Sequence, residues 1–154
     1  MKSMDACKRI LVVDDEIISR AMLESHLLSR GYDVITAASG EDALAGLAKQ
    51  PVSLVISDLV MPGMDGIQLM QAAKAHYPNL PFIVFTGAGS IESAVTAIKQ
   101  GALDYLEKPF HPETFDVVLL RALEFGRLAD ENVQLRERIE DIPLLVDFFS
   151  QSLP

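Results

Sequence analysis

Five short apolar runs punctuate the chain, and each is followed by a stretch whose apolar residues recur at three- and four-residue spacing. The runs are Ile10 to Val13, Asp33 to Thr36, Val52 to Ser57, Pro81 to Phe85 and Leu103 to Glu107. Three of them (ILVV, SLVIS and FIVF) show no polar alternation, the pattern of strands covered on both faces, whereas half-exposed antiparallel strands alternate. The first helical stretch carries Ile17, Ala21, Leu23, Leu27 and Leu28 and ends at Arg30-Gly31, where glycine's access to the left-handed region suits a stop. The second follows Ser39, which forms a capping pair with Asp42, and stops before Pro51. The third runs from about Met64 to His76, and the fourth from about Ser90 to Gln100, closed by Gly101. The fifth starts near Pro112 and continues past Asp130. This β-α-β-α order predicts an α/β fold, a doubly wound parallel sheet with helices on both faces. From Glu113 to Ile142 there is no proline and one glycine, Gly126. That is too long for an ordinary domain helix and reads as a helix leaving the domain.

Composition narrows the function. With 154 residues, 49% of them hydrophobic, the chain is one domain's worth with a sizeable core, not a disordered segment. Thirteen Lys and Arg against 22 Asp and Glu leave a formal charge of −9. That field has the wrong sign for gripping phosphate backbones, so no direct nucleic-acid binding is expected. A lone Cys7 permits neither an internal disulfide nor a multi-cysteine metal site and fits a reducing compartment. No apolar run reaches the roughly 18 to 20 residues of a membrane span, and the start, MKSMDACKR, has no apolar export region. A cytoplasmic protein with no membrane partner is expected.

In a doubly wound sheet the ligand site lies beyond the C-terminal strand ends, where the winding reverses. There the sequence places Asp14-Asp15-Glu16 after the first strand, Asp58 after the third, Thr86 after the fourth and Lys108-Pro109 after the fifth. Taken singly, each has a plainer reading as a turn, a helix cap or a strand exit. Together they gather carboxylates that repel one another unless a cation sits between them, and hard oxygen ligands suit Mg²⁺. Lys108 as a point charge and Thr86 as a donor complete a rim fit for a phosphoryl group.

These positions fall in four motifs: LVVDDE (11–16), VISDLVMPGMDG (55–66), VFTGAG (84–89) and GALDYLEKPF (101–110). Over residues 8 to about 127 the chain resembles the receiver domain of two-component response regulators. The resemblance implies a flavodoxin-like five-stranded sheet of order 2-1-3-4-5, with the C-terminal helix extended. It also implies that Asp58 accepts a phosphoryl group from a cognate sensor histidine kinase, in a chain that catalyses only its own phosphotransfer and dephosphorylation. Asp14, Asp15 and Asp58 with the backbone carbonyl of Val60 would bind Mg²⁺. Lys108 would pair with the phosphoryl group, Thr86 would move towards it, and Tyr105 would turn inward behind Thr86. The Lys108-Pro109 bond would be cis.

Other classes fit the residues less well. A haloacid-dehalogenase-type phosphatase needs a second aspartate two residues after its nucleophile, where Val60 stands. A flavodoxin would carry a Ser/Thr-rich phosphate loop in place of Asp14-Asp15-Glu16. An adaptor whose acidic site is structural is a further alternative. No Gly-x-x-x-x-Gly-Lys or Gly-x-Gly-x-x-Gly loop is present, so a donor protein is expected to supply the phosphate.

The expected organisation is a tail over 1–7, a receiver domain over 8–127 and a helical extension over 128–154. Set as a heptad, the late helix places Val118, Phe125, Asn132 and Ile139 at a, with Arg121, Leu128, Leu135 and Ile142 at d. This pattern favours a parallel homodimer in which Asn132 fixes register and Glu131 faces Arg136 of the partner helix. Arg121 spoils the first d position, so the seam begins near Phe125. A solvated helix packed on its own domain is the alternative. Residues 135–149, LRERIEDIPLLVDFF, are also similar to a stretch late in the AAA+ domain of nitrogen-regulation-type transcriptional activators. That likeness points to a transcriptional output without giving this chain an ATPase.

Overall fold

A computed structural model describes residues 8–87, 91–109 and 111–140, the side chains of 130–140 excepted. Its elements alternate without exception: β1 (Arg9–Val13), α1 (Ile17–Ser29), β2 (Asp33–Ala37), α2 (Gly40–Lys49) and β3 (Leu54–Asp58), then α3 (Gly66–Lys74), β4 (Phe82–Thr86), α4 (Ile91–Lys99), β5 (Asp104–Glu107) and α5 (Pro112–Glu140). The five strands form one parallel sheet of order β2-β1-β3-β4-β5. This is the doubly wound fold that the pattern predicts, with the flavodoxin-like strand order that the resemblance implies.

Strand side chains alternate between two separate cores. Leu11, Val13, Val55, Phe82 and Val84 pack under Ala43 and Leu47 of α2, Leu69, Met70 and Ala73 of α3, and Ala97 of α4. Ile10, Val12, Leu54, Ile56, Ile83 and Phe85 face the other way, onto Leu23 and Leu27 of α1 and Phe115, Leu119 and Ala122 of α5. The central strands β1, β3 and β4 are apolar on both faces because both are covered. The outer strands β2 and β5 tolerate Asp33, Thr36, Asp104 and Glu107 because one edge of each is free. Each fully buried Leu, Ile or Phe contributes about 1.5–3 kcal/mol, so the two cores dominate stability.

Local chemistry sets the element ends. Gly31, with φ at +89°, closes α1, and Gly101, at +123°, follows α4. Ser39 caps α2 by accepting from the Asp42 amide at 3.1 Å. The periodicity starts α3 near Met64, but the helix begins at Gly66 because Asp65 caps it. Asp65 accepts from the Gln68 amide at 2.8 Å, and the Gln68 side chain accepts from the Asp65 amide at 3.0 Å. β3 starts at Leu54 rather than Val52, where pairing to Ile10 begins, and it extends to Asp58, which pairs with Phe85. The acceptor candidate is therefore the last residue of a central strand, not part of a free loop. Thr86 likewise ends β4.

Candidate functional site

The order reverses between β1 and β3: β1 leads outward to β2 and β3 leads the other way. The crevice beyond those two strand ends is the topological switch point, and Asp14 and Asp58 flank it. Asp14 is 1% exposed. Its amide donates to the Ala37 carbonyl at 3.1 Å, and its Oδ1 accepts from the Glu16 amide at 2.9 Å. Asp58 Oδ1 accepts from the Val60 amide at 3.3 Å. Lys108 reaches in from the end of β5. Its Nζ donates to Asp58 Oδ2 at 2.9 Å, Asp14 Oδ2 at 3.0 Å and Glu16 Oε1 at 3.3 Å. The Lys108-Pro109 bond is cis, and the Lys108 amide donates to the Thr86 carbonyl at 2.8 Å, tying the ends of β4 and β5 together.

Electrostatics here are unequal. Burial pushes the Asp58 carboxyl above its ordinary value. The Lys108 hydrogen bond and charge oppose the rise, while the Asp14 charge adds to it. Burial also disfavours the Lys108 ammonium, but hydrogen bonds and charges from Asp58 and Asp14 outweigh it and raise its pKa. One ammonium thus serves several carboxylates. Each carboxylate receives only part of its charge.

Asp14, Glu16 and Asp58 each bring a carboxylate oxygen within 4.8 Å of the others. This hard, all-oxygen donor set fits Mg²⁺ and excludes metals that demand sulfur or imidazole. A second observation marks the site for an oxygen-rich guest. Thr86 is 2% exposed, and its Oγ1 has no hydrogen-bond partner among the described residues. A buried hydroxyl without a partner costs about 1–3 kcal/mol, a cost that an incoming acceptor oxygen relieves.

Residues 10–119 match the response regulator receiver domain family. The chain belongs to that family. It is 41% identical over 139 residues to a putative response regulator, NtrX-like, of Rickettsia bellii, covering 89% of this chain and 29% of that protein. It is 38% identical over 130 residues to the nitrogen assimilation regulatory protein NtrX of Azorhizobium caulinodans, covering 83% and 29%. The crystal structure of NtrX from Brucella abortus superposes with a TM-score of 0.79 at 35% identity, over 88% of this chain and 34% of that one. The chain thus spans about a third of the length of these relatives.

Within this receiver domain the residues singled out from sequence occupy distinct places. Asp14, Asp58 and Lys108 are joined directly, and Thr86 sits buried at the adjoining strand end. Asp15 is exposed and stands outside the close group, where Glu16 takes the third position. Val60 follows Asp58 on the rim with its side chain exposed. Tyr105 pairs with Val84, two residues before Thr86, so Tyr105 and Thr86 share one sheet face. Val118, an a position of the heptad, is buried in the domain's own core, whereas Phe125 and Leu128 are 50% and 47% exposed. The helix backbone continues to Glu140. The side chains of Asn132, Leu135 and Ile139, and all of 141–154, lie outside the described residues.

Sequence reasoning missed one contributor. Arg20 donates from Nη1 to the Asp14 carbonyl at 2.7 Å; its place one turn into α1 was the available signal. Gly66, the glycine that closes the VISDLVMPGMDG motif, lies against the backbone of Asp58.

Proposed function

We propose that Asp58 is the phospho-acceptor of this receiver domain and that a cognate sensor histidine kinase is its donor. The observation that carries the reading is Lys108 Nζ held between Asp58 and Asp14 beside the unpartnered Thr86 hydroxyl. A carboxylate oxygen of Asp58 attacks phosphorus, the phosphorus–nitrogen bond of the donor phosphohistidine breaks, and the imidazole keeps the electron pair. Lys108 then exchanges Asp58 for a phosphoryl oxygen, and Thr86 donates to another. Asp14, Asp15 and Asp58 with the Val60 carbonyl would hold Mg²⁺. When bound, it neutralises charge on the attacking and transferring groups. The chain acts on itself and turns over no separate substrate beyond its own dephosphorylation.

Beside the crevice, Ile17, Ile18 and Met22 of α1 and Val60 leave large apolar surfaces exposed, a fitting seat for a helical donor. Among the described residues no helix is long and apolar enough to cross a membrane, and we assign the chain to the cytoplasm. The 139-residue likeness to the Rickettsia protein necessarily runs past residue 119, where the family match ends. That supports a receiver over 8–127 joined to an extension, 128–154, that links it to a transcriptional output. Exposed Phe125 and Leu128 support a homodimer seam through Leu128, Asn132, Leu135 and Ile139.

The test is labelling by acetyl phosphate with Mg²⁺, read as the mass of one phosphate. Asp58→Asn and Asp58→Ala should abolish it while keeping the fold, and chelation should abolish it in the unaltered protein. Undiminished labelling of Asp58→Ala would overturn the assignment.

A further inference from the structure

We propose that Arg20 is a positioning residue for the acidic loop, fixing through the Asp14 carbonyl the direction in which Asp14 and Asp15 present their carboxylates to a divalent cation. The proposal rests on the phospho-acceptor reading above.

The start of α1 breaks the ordinary rules for a helix N-terminus. Its N-cap, Glu16, makes no side-chain cap, and the first turn holds no acidic residue. The Glu16 carboxylate is turned to Lys108 instead. The next charged side chain is a cation, Arg20, where the helix dipole favours an anion. A local rule broken without local gain points to a demand from elsewhere. Arg20 reaches back six residues and donates to the Asp14 carbonyl at 2.7 Å, the shortest hydrogen bond around the acidic loop.

That bond completes Asp14. Its amide is bound to Ala37, its Oδ1 to the Glu16 amide and its Oδ2 to Lys108, and with Arg20 its carbonyl is held too. Because the peptide is planar, holding the Asp14 carbonyl also fixes the Asp15 amide, and with it the angle at which the exposed Asp15 side chain leaves the backbone. Released, this peptide can rotate, so that Asp15 loses its fixed direction while Asp14 loses its anchor.

Charge and positioning make opposite forecasts. A guanidinium this close repels a divalent cation, so if charge were its effect, removing it would tighten Mg²⁺ binding. If positioning is its effect, removal weakens binding. Groups that orient metal ligands typically change metal affinity by about 10–100-fold.

The experiment titrates Mg²⁺ alone into the metal-free protein, followed by amide chemical shifts or calorimetry, for the unaltered chain, Arg20→Met and Arg20→Lys. In parallel, acetyl-phosphate labelling is measured across Mg²⁺ concentrations. Arg20→Met should raise the Mg²⁺ half-saturation about tenfold in both assays while keeping most of the plateau labelling rate. Arg20→Lys, which retains a donor, should restore most of the affinity. Should Arg20→Met not fold, Arg20→Gln, too short to reach the carbonyl, takes its place. Mg²⁺ binding that is unchanged or tighter without Arg20 overturns the proposal, as does Arg20→Lys binding as weakly as Arg20→Met. If the unaltered chain does not label, the phospho-acceptor reading fails, and the Mg²⁺ titration still decides the role of Arg20.

Discussion

Gly66→Ala tests whether the acceptor is held in place by the close seating of α3 against β3. A Cβ at residue 66 would stand 2.5 Å from the Asp58 carbonyl oxygen, 3.0 Å from Leu59 Cα and 3.3 Å from Asp58 C. All three are backbone atoms, so no side chain can rotate aside. Relief to ordinary contact at 3.4 Å requires α3 and the end of β3 to part by about 0.9 Å. The Gly66 amide also donates to the Leu59 carbonyl at 2.9 Å, and the same movement lengthens that bond. Inserting a methyl group into tightly packed surroundings costs about 1–3 kcal/mol. The helix-propensity gain of alanine, roughly 1 kcal/mol in a helix interior, is smaller at the first helical residue. The net loss should be about 2 kcal/mol, or roughly 4–8 °C in Tm for a chain of this length. Asp58 is displaced from Lys108 by the same shift, and misplacement of about 1 Å can cost on the order of a hundredfold in rate. Labelling by acetyl phosphate at saturating Mg²⁺ should therefore fall by roughly ten- to a hundredfold. Gly31→Ala is the control. Its φ of +89° makes alanine strained, yet its Cβ meets nothing within 4 Å, so it should lose about 1–2 kcal/mol and label normally. If Gly66→Ala melts within a degree of the unaltered protein and labels as fast, the close approach does not position the acceptor and the reasoning fails.

Two further outcomes are expected away from the strand ends. Asp116 on α5 accepts from Arg30, just past the end of α1, at 2.9 and 3.1 Å and lies 2.8 Å from Nε2 of His26 on α1, and its carboxyl is held below the ordinary value, foremost by the Arg30 hydrogen bond. A depressed carboxyl contributes stability that is complete above the ordinary carboxylate range and is lost as pH falls through its own lower pKa. Asp116→Asn should therefore cost about 0.5–1 kcal/mol near neutrality, and urea midpoints of the two proteins should converge as the pH falls below the ordinary carboxylate range; a gap that widens there contradicts the sign. Leu128→Asp with Leu135→Asp should give a monomer by sedimentation whose Asp58 still labels. A dimer that survives both substitutions would place the interface elsewhere.

How much of this was readable in advance depends on whether the cause is local. Unbroken runs such as ILVV and FIVF betray strands covered on both faces because burial acts residue by residue along the chain. The four strand-end positions were legible once the order of elements was known, since strand ends converge by topology. Strand bounds were less so. Asp58 belongs to β3 because Phe85, 27 residues on, pairs with it. Val118 reads as a heptad position but is claimed by the core under β5 and α1. Glu16 displaces Asp15 from the close group because the chain turns at Asp14 through the Glu16 amide, and alternation of side chains cannot convey a turn. Arg20 acts on a backbone atom of the preceding loop, and such a contact leaves no periodicity.

The resting site is unfinished in a way that sets the scale of its response. Thr86 Oγ1 is buried without a partner, Asp58 is held above its ordinary pKa by burial, and one ammonium is divided among three carboxylates. On the proposed reading, a phosphoryl group on Asp58 would supply acceptor oxygens to Thr86 and Lys108 at once, so its arrival would relieve those costs instead of adding to them. That relief would require Thr86 to move, and Thr86 is not free to move alone. Its carbonyl is tied to the Lys108 amide at 2.8 Å, and Tyr105 lies beside it on the same sheet face. On that reading, displacement at the end of β4 would be passed to the adjoining end of β5. The hydroxyl's unmet bond is worth about 1–3 kcal/mol, the range of ordinary allosteric coupling, which shifts an equilibrium by roughly 5- to 150-fold. A surface poised within that range of balance would be switched by one phosphoryl group. One locked more firmly would need contacts with a partner as well.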